Sequence, residues 1–321
     1  MIPVKRILAL FLFVLVMGCV SQERGEIQSI EDLEGKTIAI PGKATVQDFL
    51  LQKFMTDHHL NLNVVIVKPP EMIAVLEKGE IDGFIAWEPY PARAFVDGHT
   101  LLVTSRDIWM HHPCCVVAAR SEFIKEHRDV VLAVLAAHIK ATTFINEHPE
   151  EAVRIGEEFT GMSKDVVEKA METIEFVYEA NYEGIEEYLR QLLDMEYVSP
   201  DDVGDINTFL SEFINADLIK EAATVQCSDL GKTVRIGYLK ADLHQLAVFV
   251  ALDQGYYDEF GLNVELYIFS AGPEEMDAFG AEDIDMGYLG IAPATTKRLN
   301  LGIPIIILAG VNNEGSAIVV A

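Results

Sequence analysis

An internal repeat is the feature that most constrains the fold of this 321-residue chain. Three short segments recur in the same order in two parts of the chain, each time with a helical stretch between the first and the second. The matched segments are 36–40 (KTIAI) with 232–236 (KTVRI), 62–64 (LNV) with 262–264 (LNV), and 79–82 (GEID) with 282–285 (EDID). Short β-branched runs that alternate with amphipathic stretches predict a βαβαβ unit with a mainly parallel sheet. Two copies therefore predict two α/β lobes of similar plan.

The stretch between the copies, about 121–226, has a different composition, rich in Glu, Ala, Leu and Lys at helical spacing. Pro149 must end one helix there, because proline cannot continue it. Ser163 suits an N-cap, and further helices are expected to begin near Tyr182 and Ser199. The sequence therefore predicts a helical appendix that packs on one lobe.

The net charge is −27 at pH 7 and the sequence pI is near 4.6. The sequence contains no cluster of Lys and Arg that could form a basic patch. A nucleic-acid partner is therefore excluded on electrostatic grounds. Most of the acidic excess is interpreted as solvated helix faces.

Residues 1–19 have the layout of an export signal. Lys5 and Arg6 precede the apolar residues 7–17, and this run is shorter than the roughly 20 residues that span a bilayer as a helix. The run LVMGC resembles a lipobox, which predicts lipidation of Cys19 and anchoring at the outer face of the cell membrane. A plain secretory signal with an incidental cysteine is the alternative.

The other cysteines are Cys114, Cys115 and Cys227. Neighbouring side chains in an extended strand point to opposite faces, so we expect Cys114 and Cys115 to be separate buried thiols. The surrounding run HHPCC suggests metal binding, but it lacks helical or CxxC spacing. The sequence therefore predicts neither a metal site nor a cofactor.

Several segments of the second copy resemble the first lobe of the nitrate, sulfonate and taurine solute-binding proteins of ABC importers. These segments are 234–239 (VRIGYL), 244–247 (HQLA), 251–257 (ALDQGYY), 261–265 (GLNVE), 285–288 (DMGY) and 312–317 (NNEGSA). Residues 33–39 (LEGKTIA) and 87–90 (WEPY) look like the second lobe of that family. The resemblance covers almost all of residues 27–321. It implies the two-lobe periplasmic-binding-protein type II fold, an α/β architecture that closes around a small solute.

The order of the lobes departs from that family, because the lobe at 232–321 comes last here instead of first. The chain therefore looks circularly permuted, a change that proteins tolerate where the termini lie close together at the surface. A fusion of tandem binding-protein genes and domain swapping are the alternatives.

The expected domains are lobe 2 at 27–112 and lobe 1 at 113–321, the latter made of the helical appendix 121–226 and the α/β part 232–321. One covalent crossover between the lobes is expected near 107–117. The hinge would then have one strand cut and would close with less restraint.

Ligands of open α/β sheets bind outside the carboxyl ends of the strands, so the loops there are the candidate site. The turn at Gly42 leads into a helix, whose free N–H groups and dipole favour a small oxyanion. Trp87 could form a wall of the cleft and supply an N–H. The candidate ligand-binding residues of the first copy are Gly42, Lys43, Ala44, Thr45, Trp87 and Glu88.

In the second copy, His244 and Gln245 open a helix and can donate hydrogen bonds to a solute. Ser270 is expected to cap the following helix or to contact the ligand. The candidate residues of this copy are His244, Gln245, Ser270, Gly272, Tyr288, Gly290, Asn312 and Ser316.

The resemblance implies a solute-binding protein that captures a small, anionic solute and delivers it to an importer permease. The same lobes also resemble thiamine-pyrimidine synthases and menaquinone-pathway proteins, so an enzyme on this fold is the alternative. The sequence offers no Ser/His/Asp spacing, paired carboxylates or Gly-rich phosphate loop to support it. A sensory input module is a third hypothesis.

Overall fold

The computed structural model describes residues 27–321, so the export signal and Cys19 lie outside the described residues. This part of the chain forms eleven strands and fifteen α-helices. The strands are β1 (Thr37–Ile40), β2 (Asn63–Ile66), β3 (Gly83–Trp87), β4 (Thr100–Thr104), β5 (Pro113–Arg120), β6 (Ile174–Phe176), β7 (Lys232–Leu239), β8 (Leu262–Phe269), β9 (Met286–Gly290), β10 (Ile305–Glu314) and β11 (Ser316–Val320).

The helices fall into three groups along the chain. Those of the first repeat copy and its exit are α1 (Val46–His58), α2 (Pro69–Glu77), α3 (Tyr90–Val96) and α4 (Ser105–Ile108). Those of the appendix are α5 (Ser121–Glu126), α6 (Arg128–Glu147), α7 (Pro149–Thr160), α8 (Lys164–Met171), α9 (Tyr182–Asp194), α10 (Pro200–Val203), α11 (Ile206–Phe213) and α12 (Ala216–Ala222). Those of the second copy are α13 (Leu246–Asp253), α14 (Gly272–Gly280) and α15 (Ile291–Leu301).

Two sheets carry the repeat, one in each lobe. The first sheet has the order β2-β1-β3-β11-β4 and the second has the order β6-β10-β5-β9-β7-β8. In each copy the first strand lies between the second and the third and pairs in parallel with both. The predicted α/β fold with two βαβαβ units is therefore confirmed.

The strands that connect the lobes run against these parallel strands. β11 is antiparallel to β3 and β4, and β5 is antiparallel to β9 and β10. A strand that arrives from the other lobe enters at the carboxyl edge of the parallel strands, so its direction is reversed. Both sheets are therefore mixed, and the predicted mainly parallel pairing holds only within the repeat units.

The chain crosses between the sheets twice, which corrects the expected single crossover near 107–117. The first crossing runs from β4 through α4 to β5, and the second runs from β10 through Gly315 to β11. Gly315 has φ +81°, and this turn directs β11 into the gap between β3 and β4. Ser316–Val320 therefore belongs to the first sheet, so the expected lobe boundaries 27–112 and 113–321 are wrong for this strand.

The last strand ends at the edge where the first strand begins. Val320 pairs with Gly83 and Thr100. The neighbouring residue, Asp82, accepts a hydrogen bond from the Thr37 N–H at 2.8 Å. A permuted order requires the two ends of the described chain to meet at one edge in this way, although permutation itself stays a prediction.

The two copies match element by element. Their first and second strands pair in the same register, Ile38 with Val64 and Val234 with Val264, and only the third strand is shifted by two residues. Ile38 pairs with Gly83 at the start of β3, and the equivalent partner of Met286 at the start of β9 is Ile236. The sequence match had placed Val234 opposite Ile38. Side chains alternate with a period of two, so this shift leaves each side chain on its predicted face.

The helices predicted between the two copies are present, together with the short strand β6, which pairs with β10. α6 ends before Pro149, α8 follows Ser163, α9 begins at Tyr182, and Ser199 caps α10. By length and composition α6 could cross a membrane, but most of it is buried against α12, α13 and β10. It is the core helix of the appendix and ties these helices to the second sheet.

Candidate functional site

A small cavity lined by buried residues lies where the carboxyl ends of strands from both sheets face each other. Its volume is about 20 Å³, which admits a group of only a few atoms. Its lining combines residues from both copies of the repeat and from β5. The lining residues are Thr45, Val46, Gln47, Trp87, Cys114, Cys115, Leu239, Asp242, His244, Gly272, Gly290 and Pro293.

The ends of five parallel strands and the starts of three helices define this cavity. Thr45 caps α1, Gly272 begins α14, and Gly290 is the N-cap residue of α15. Helix N-termini present unpaired N–H groups and a partial positive charge. The strand edge that the sequence predicted as the site is therefore the edge that borders the cavity.

The structure brings five of the predicted binding residues to the cavity wall. These are Thr45, Trp87, His244, Gly272 and Gly290. Trp87 is 4% exposed and stands edge-on to Tyr90, with ring centroids 6.3 Å apart. Its indole N–H has no hydrogen-bond partner among the described residues.

The turn between β1 and α1 does not form the expected oxyanion seat. The Asp48 carboxylate accepts the Ala44 N–H at 2.9 Å and the Tyr197 hydroxyl at 2.6 Å. The Asp48 N–H in turn donates to Thr45 Oγ1 at 3.2 Å. An acidic side chain of the helix thus occupies the place that an anion would take. Of the four predicted residues here, Gly42, Lys43 and Ala44 are absent from the cavity lining.

Glu88 is buried but lies outside the lining. Its carboxyl group accepts hydrogen bonds from the Ala92 N–H at 2.9 Å and the Thr173 hydroxyl at 3.1 Å. Burial raises the pKa of Glu88 to about 7. Its backbone oxygen accepts the Leu243 N–H at 3.0 Å, so this residue links the two lobes.

The side chains of Gln245 and Ser316 support the lining from behind. Gln245 Oε1 accepts the Leu239 N–H at 2.6 Å, which closes the turn after β7. Ser316 Oγ accepts a hydrogen bond from the Gln47 amide at 3.0 Å. Gln245 and Ser316, both predicted to contact the ligand, therefore hold the lining residues Leu239 and Gln47 in place.

Ser270 and Tyr288 lie away from the cavity. Ser270 is exposed, and the N-cap residue of α14 is Ala271, so the expected capping role is also wrong. Tyr288 is buried within the lobe, where its ring stands edge-on to that of His138. Tyr288 lies two residues before the lining residue Gly290, which ends the strand at the cavity.

Sequence reasoning missed a cluster of reactive side chains in the cavity wall. The sulfur atoms of Cys114 and Cys115 lie 3.6 and 3.7 Å from His244 Nδ1 and 4.0 Å from each other. The expectation that these neighbours point to opposite faces is wrong. The pairing of β5 with β10 is irregular around Asn312, whose side-chain oxygen accepts the Cys115 N–H at 3.2 Å. The HHPCC run was the available signal, but only this irregularity brings both sulfurs to one side.

Buried charges make this wall electrostatically distinctive. Burial disfavours protonated His244, but the neighbouring Cys114 and Asp242 outweigh it and raise the pKa of His244 to about 10. A hydrogen bond from Cys115 lowers the pKa of Cys114, and the pKa of Cys115 is raised in return. Burial raises the pKa of Asp242 to about 7. None of the described lining residues is Lys or Arg.

Comparison with known proteins identifies related chains. A family model described as the NMT1-like family matches residues 21–157 and 231–321, which is more than half of the chain. An aliphatic sulfonates-binding protein of Bacillus subtilis is 26% identical over 205 residues, covering 61% of this chain and 61% of that protein. The taurine-binding periplasmic protein of Escherichia coli is 32% identical over 119 residues, covering 36% and 37% of the two chains.

A further relative is the nitrate/nitrite binding protein NrtA of a Nostoc species, 28% identical over 117 residues that cover 34% of this chain and 26% of that one. The chain thus spans less than two thirds of the length of these relatives. Among solved structures, a tungstate ABC transporter protein of Geobacter sulfurreducens gives a TM-score of 0.38 at 10% identity, covering 89% of this chain and 84% of that one.

Proposed function

The chain belongs to the NMT1-like family, and from this membership we propose that it is the extracytoplasmic solute-binding component of an ABC importer. The observation that carries this proposal is the small buried cavity, because it is lined from the strand ends of both sheets. A solute held there contacts both lobes at once. Binding can then stabilise the closed arrangement over an open one.

The solute class that we propose is a small anion or the anionic head of a sulfonate. The relatives named for sulfonates, nitrate and taurine support this class. The N-termini of α14 and α15 supply partial positive charge at the cavity. Trp87 lines the cavity, and its unpaired indole N–H adds a directional donor. These groups would hold an anion without a Lys or Arg in the wall.

Entry of the solute requires the lobes to separate, because the cavity is small and its lining residues are buried. The two crossings, through α4 and through Gly315, are the natural hinge. In the closed arrangement the Leu243 N–H donates across the lobes to the Glu88 oxygen. Solute contacts must exceed the cost of closing, so affinity depends on residues from both lobes.

The proposed partners follow from this role. The protein would deliver its solute to the importer permease, and a lipid on Cys19 would hold it at the outer face of the cell membrane. Mass spectrometry of the protein from native membranes, with a diacylglyceryl group on Cys19 as the expected result, tests the anchor.

A screen of solutes by thermal unfolding tests the binding function. The panel contains nitrate, bicarbonate, taurine, a short alkanesulfonate and an uncharged pyrimidine. One anionic class should raise the melting temperature, since a ligand at 100 times its Kd stabilises the folded state by about 2.7 kcal/mol. Stabilisation by the pyrimidine alone would contradict the proposed solute class. No stabilisation by any member, confirmed by calorimetry, would contradict solute capture of this kind.

The enzyme alternative is favoured by one observation, the buried group of Cys114, His244 and Asp242 in the cavity wall. A thiol beside an imidazole is the arrangement that activates cysteine nucleophiles. Incubation of a bound solute with the protein, followed by mass spectrometry, separates the two hypotheses. A binding protein returns the solute unchanged and forms no adduct on Cys114.

A further inference from the structure

Three side chains in the cavity wall form a compact triangle of metal-ligating atoms. The two sulfur–nitrogen distances to His244 Nδ1 are 3.6 and 3.7 Å, and the sulfur–sulfur distance between Cys114 and Cys115 is 4.0 Å. Cys114 and Cys115 lie on β5, and His244 lies in the turn after β7. The strands β5 and β7 pair with opposite sides of β9. Long-range packing, not local sequence, therefore assembles this triangle.

The triangle has the dimensions of one face of a tetrahedral metal site. With Zn–S bonds of about 2.3 Å and Zn–N bonds of about 2.0 Å, tetrahedral angles place two sulfurs about 3.8 Å apart and sulfur about 3.6 Å from nitrogen. Each observed distance lies close to these values. We propose that Cys114, Cys115 and His244 are three ligands of a thiophilic, tetrahedral cation of the Zn²⁺ type. The fourth position faces the cavity.

The orientation of the imidazole suits this role. His244 Nε2 lies 2.7 Å from the Gly315 backbone oxygen, so Nε2 carries the hydrogen and donates it to that oxygen. When an ion binds, Nδ1 gives up its proton to the solvent and presents its lone pair to the ion. Histidine ligands of metals are commonly fixed by such a hydrogen bond from the second ring nitrogen.

The surrounding structure holds the three ligands in place before any ion binds. Cys114, Cys115 and His244 are at most 4% exposed. The Asn312 side-chain oxygen accepts the backbone N–H of Cys115, and the Asp242 carboxylate accepts the backbone N–H of His244 at 3.1 Å. The three side chains need little rearrangement to bind an ion, because hydrogen bonds already fix the backbone of Cys115 and His244 and the His244 ring.

The chemistry of the donors selects the class of cation. Two thiolates and one imidazole favour Zn²⁺ or Cu⁺ over Mg²⁺ and Ca²⁺, which prefer oxygen ligands. The Asp242 Oδ1 atom, 3.3 Å from His244 Nδ1, adds negative charge beside the ring. On binding, the two sulfurs coordinate as thiolates, and protons lost from the thiols pass to the solvent.

The open fourth position connects this site to the proposed function. All three ligand residues line the cavity that Thr45 and Trp87 also border, so we assign the fourth position to that cavity. A three-ligand site with a free position binds water or an exogenous ligand there. Only this last step, coordination of the solute to the ion, depends on the proposed solute-binding role.

Titration of the reduced full chain, purified in detergent and treated with a chelator, tests the site without any solute. Zn²⁺ is added in competition with a chromophoric chelator, and Co²⁺ is used as a spectroscopic probe. We expect one ion per chain and, with Co²⁺, the intense visible bands of a tetrahedral site together with a thiolate charge-transfer band. Cys114→Ser and Cys115→Ser should each weaken Zn²⁺ binding by at least about 100-fold, because each removes a direct ligand.

Cys227→Ser is the matched control, since Cys227 is exposed and its sulfur contacts Glu259 elsewhere. This variant should bind Zn²⁺ as the native chain does. Absence of stoichiometric binding, or equal loss in the Cys227 variant, would overturn the proposal. If the buried variants unfold, X-ray absorption of the native chain with Zn²⁺ decides instead: two sulfurs and one imidazole support the site, and any other protein ligand set overturns it. Since no solute is present, these outcomes are separate from those of the solute screen.

Discussion

At the residue scale, Trp87 combines two properties that a solute contact needs. It ends β3 at the cavity, and its indole N–H has no partner among the described residues. A buried donor without a partner is unfavourable, and a bound solute oxygen would relieve that cost. The side chain therefore contributes both an apolar wall and a directional donor.

Trp87→Phe keeps most of the wall and removes the donor. We expect solute affinity to fall about tenfold, equivalent to about 1.4 kcal/mol, with little loss of folding stability. Trp87→Ala should lower both affinity and stability. Calorimetry with the solute and urea unfolding measure the two effects separately. Unchanged affinity in the Phe variant would show that the indole N–H makes no solute contact.

Glu88 provides a pH-dependent test of the lobe interface. Its pKa is raised by burial from an ordinary 4.5 to about 7, so the folded state keeps the proton that the unfolded state loses. Stability should therefore decrease as the pH rises from about 4.5 to about 7, by about 3 kcal/mol in total, and level off above that. Glu88→Gln removes this dependence, because its amide can donate to Thr173 while its oxygen accepts the Ala92 N–H.

Urea unfolding of both proteins across this pH range gives the measurement. The advantage of the Gln variant should grow up to about pH 7. Glu126→Gln, a change of an exposed side chain, is the control and should leave the pH profile as it is. A constant difference between native and Glu88→Gln proteins would contradict the raised pKa.

At the scale of single elements, the link between β10 and β11 is the most constrained part of the hinge. Gly315 has φ +81°, a conformation that favours glycine. A Cβ there would collide with the His244 ring and lie 2.8 Å from Ile174 Cγ1. This turn therefore controls both the second crossing and the position of a cavity residue.

Gly315→Ala should destabilise the fold by about 3 kcal/mol or more, because backbone strain adds to the collision. Gly302→Ala is the matched control: Gly302 also has positive φ, at +66°, but nothing lies within 4 Å of the added carbon. That change should cost about 1 kcal/mol, the backbone part alone. Equal effects in urea unfolding would show that the turn has room for a side chain.

At the scale of the whole molecule, both lobe crossings are continuous in this chain order. The expected hinge with one cut strand is therefore wrong. The segment between α12 and β7, residues 223–231, is largely exposed and contains no helix or strand. It is the natural place for new termini if the family order is restored.

A reordered variant would begin at residue 231, join Ala321 to Ile27 through a short Gly/Ser linker, and end at residue 225. We expect the same solute affinity within about twofold, since sheet pairings and both crossings are retained. Small-angle scattering with and without solute should show the same degree of closure as in the native order. A clear difference in closure would mean that the position of the termini restrains the hinge.

The sequence by itself determined the features that depend on local pattern. The two βαβαβ copies, the helical appendix, the boundaries at Pro149 and Ser199, and the strand edge that borders the cavity follow from periodicity and turn chemistry. The third strand pairs with a shift of two residues between the copies. This shift did not disturb the predictions, because side chains alternate along a strand with a period of two.

Only the tertiary structure decided which side chains meet in the cavity. The place of β11 depends on pairing with β3, from the opposite end of the chain. Cys114 and Cys115 meet His244 because the pairing between β5 and β10 is irregular. Asp48, a residue of α1, closes the turn after β1 by accepting hydrogen bonds from the Ala44 N–H and the Tyr197 hydroxyl. These arrangements arise from register and long-range packing, which local sequence patterns do not encode.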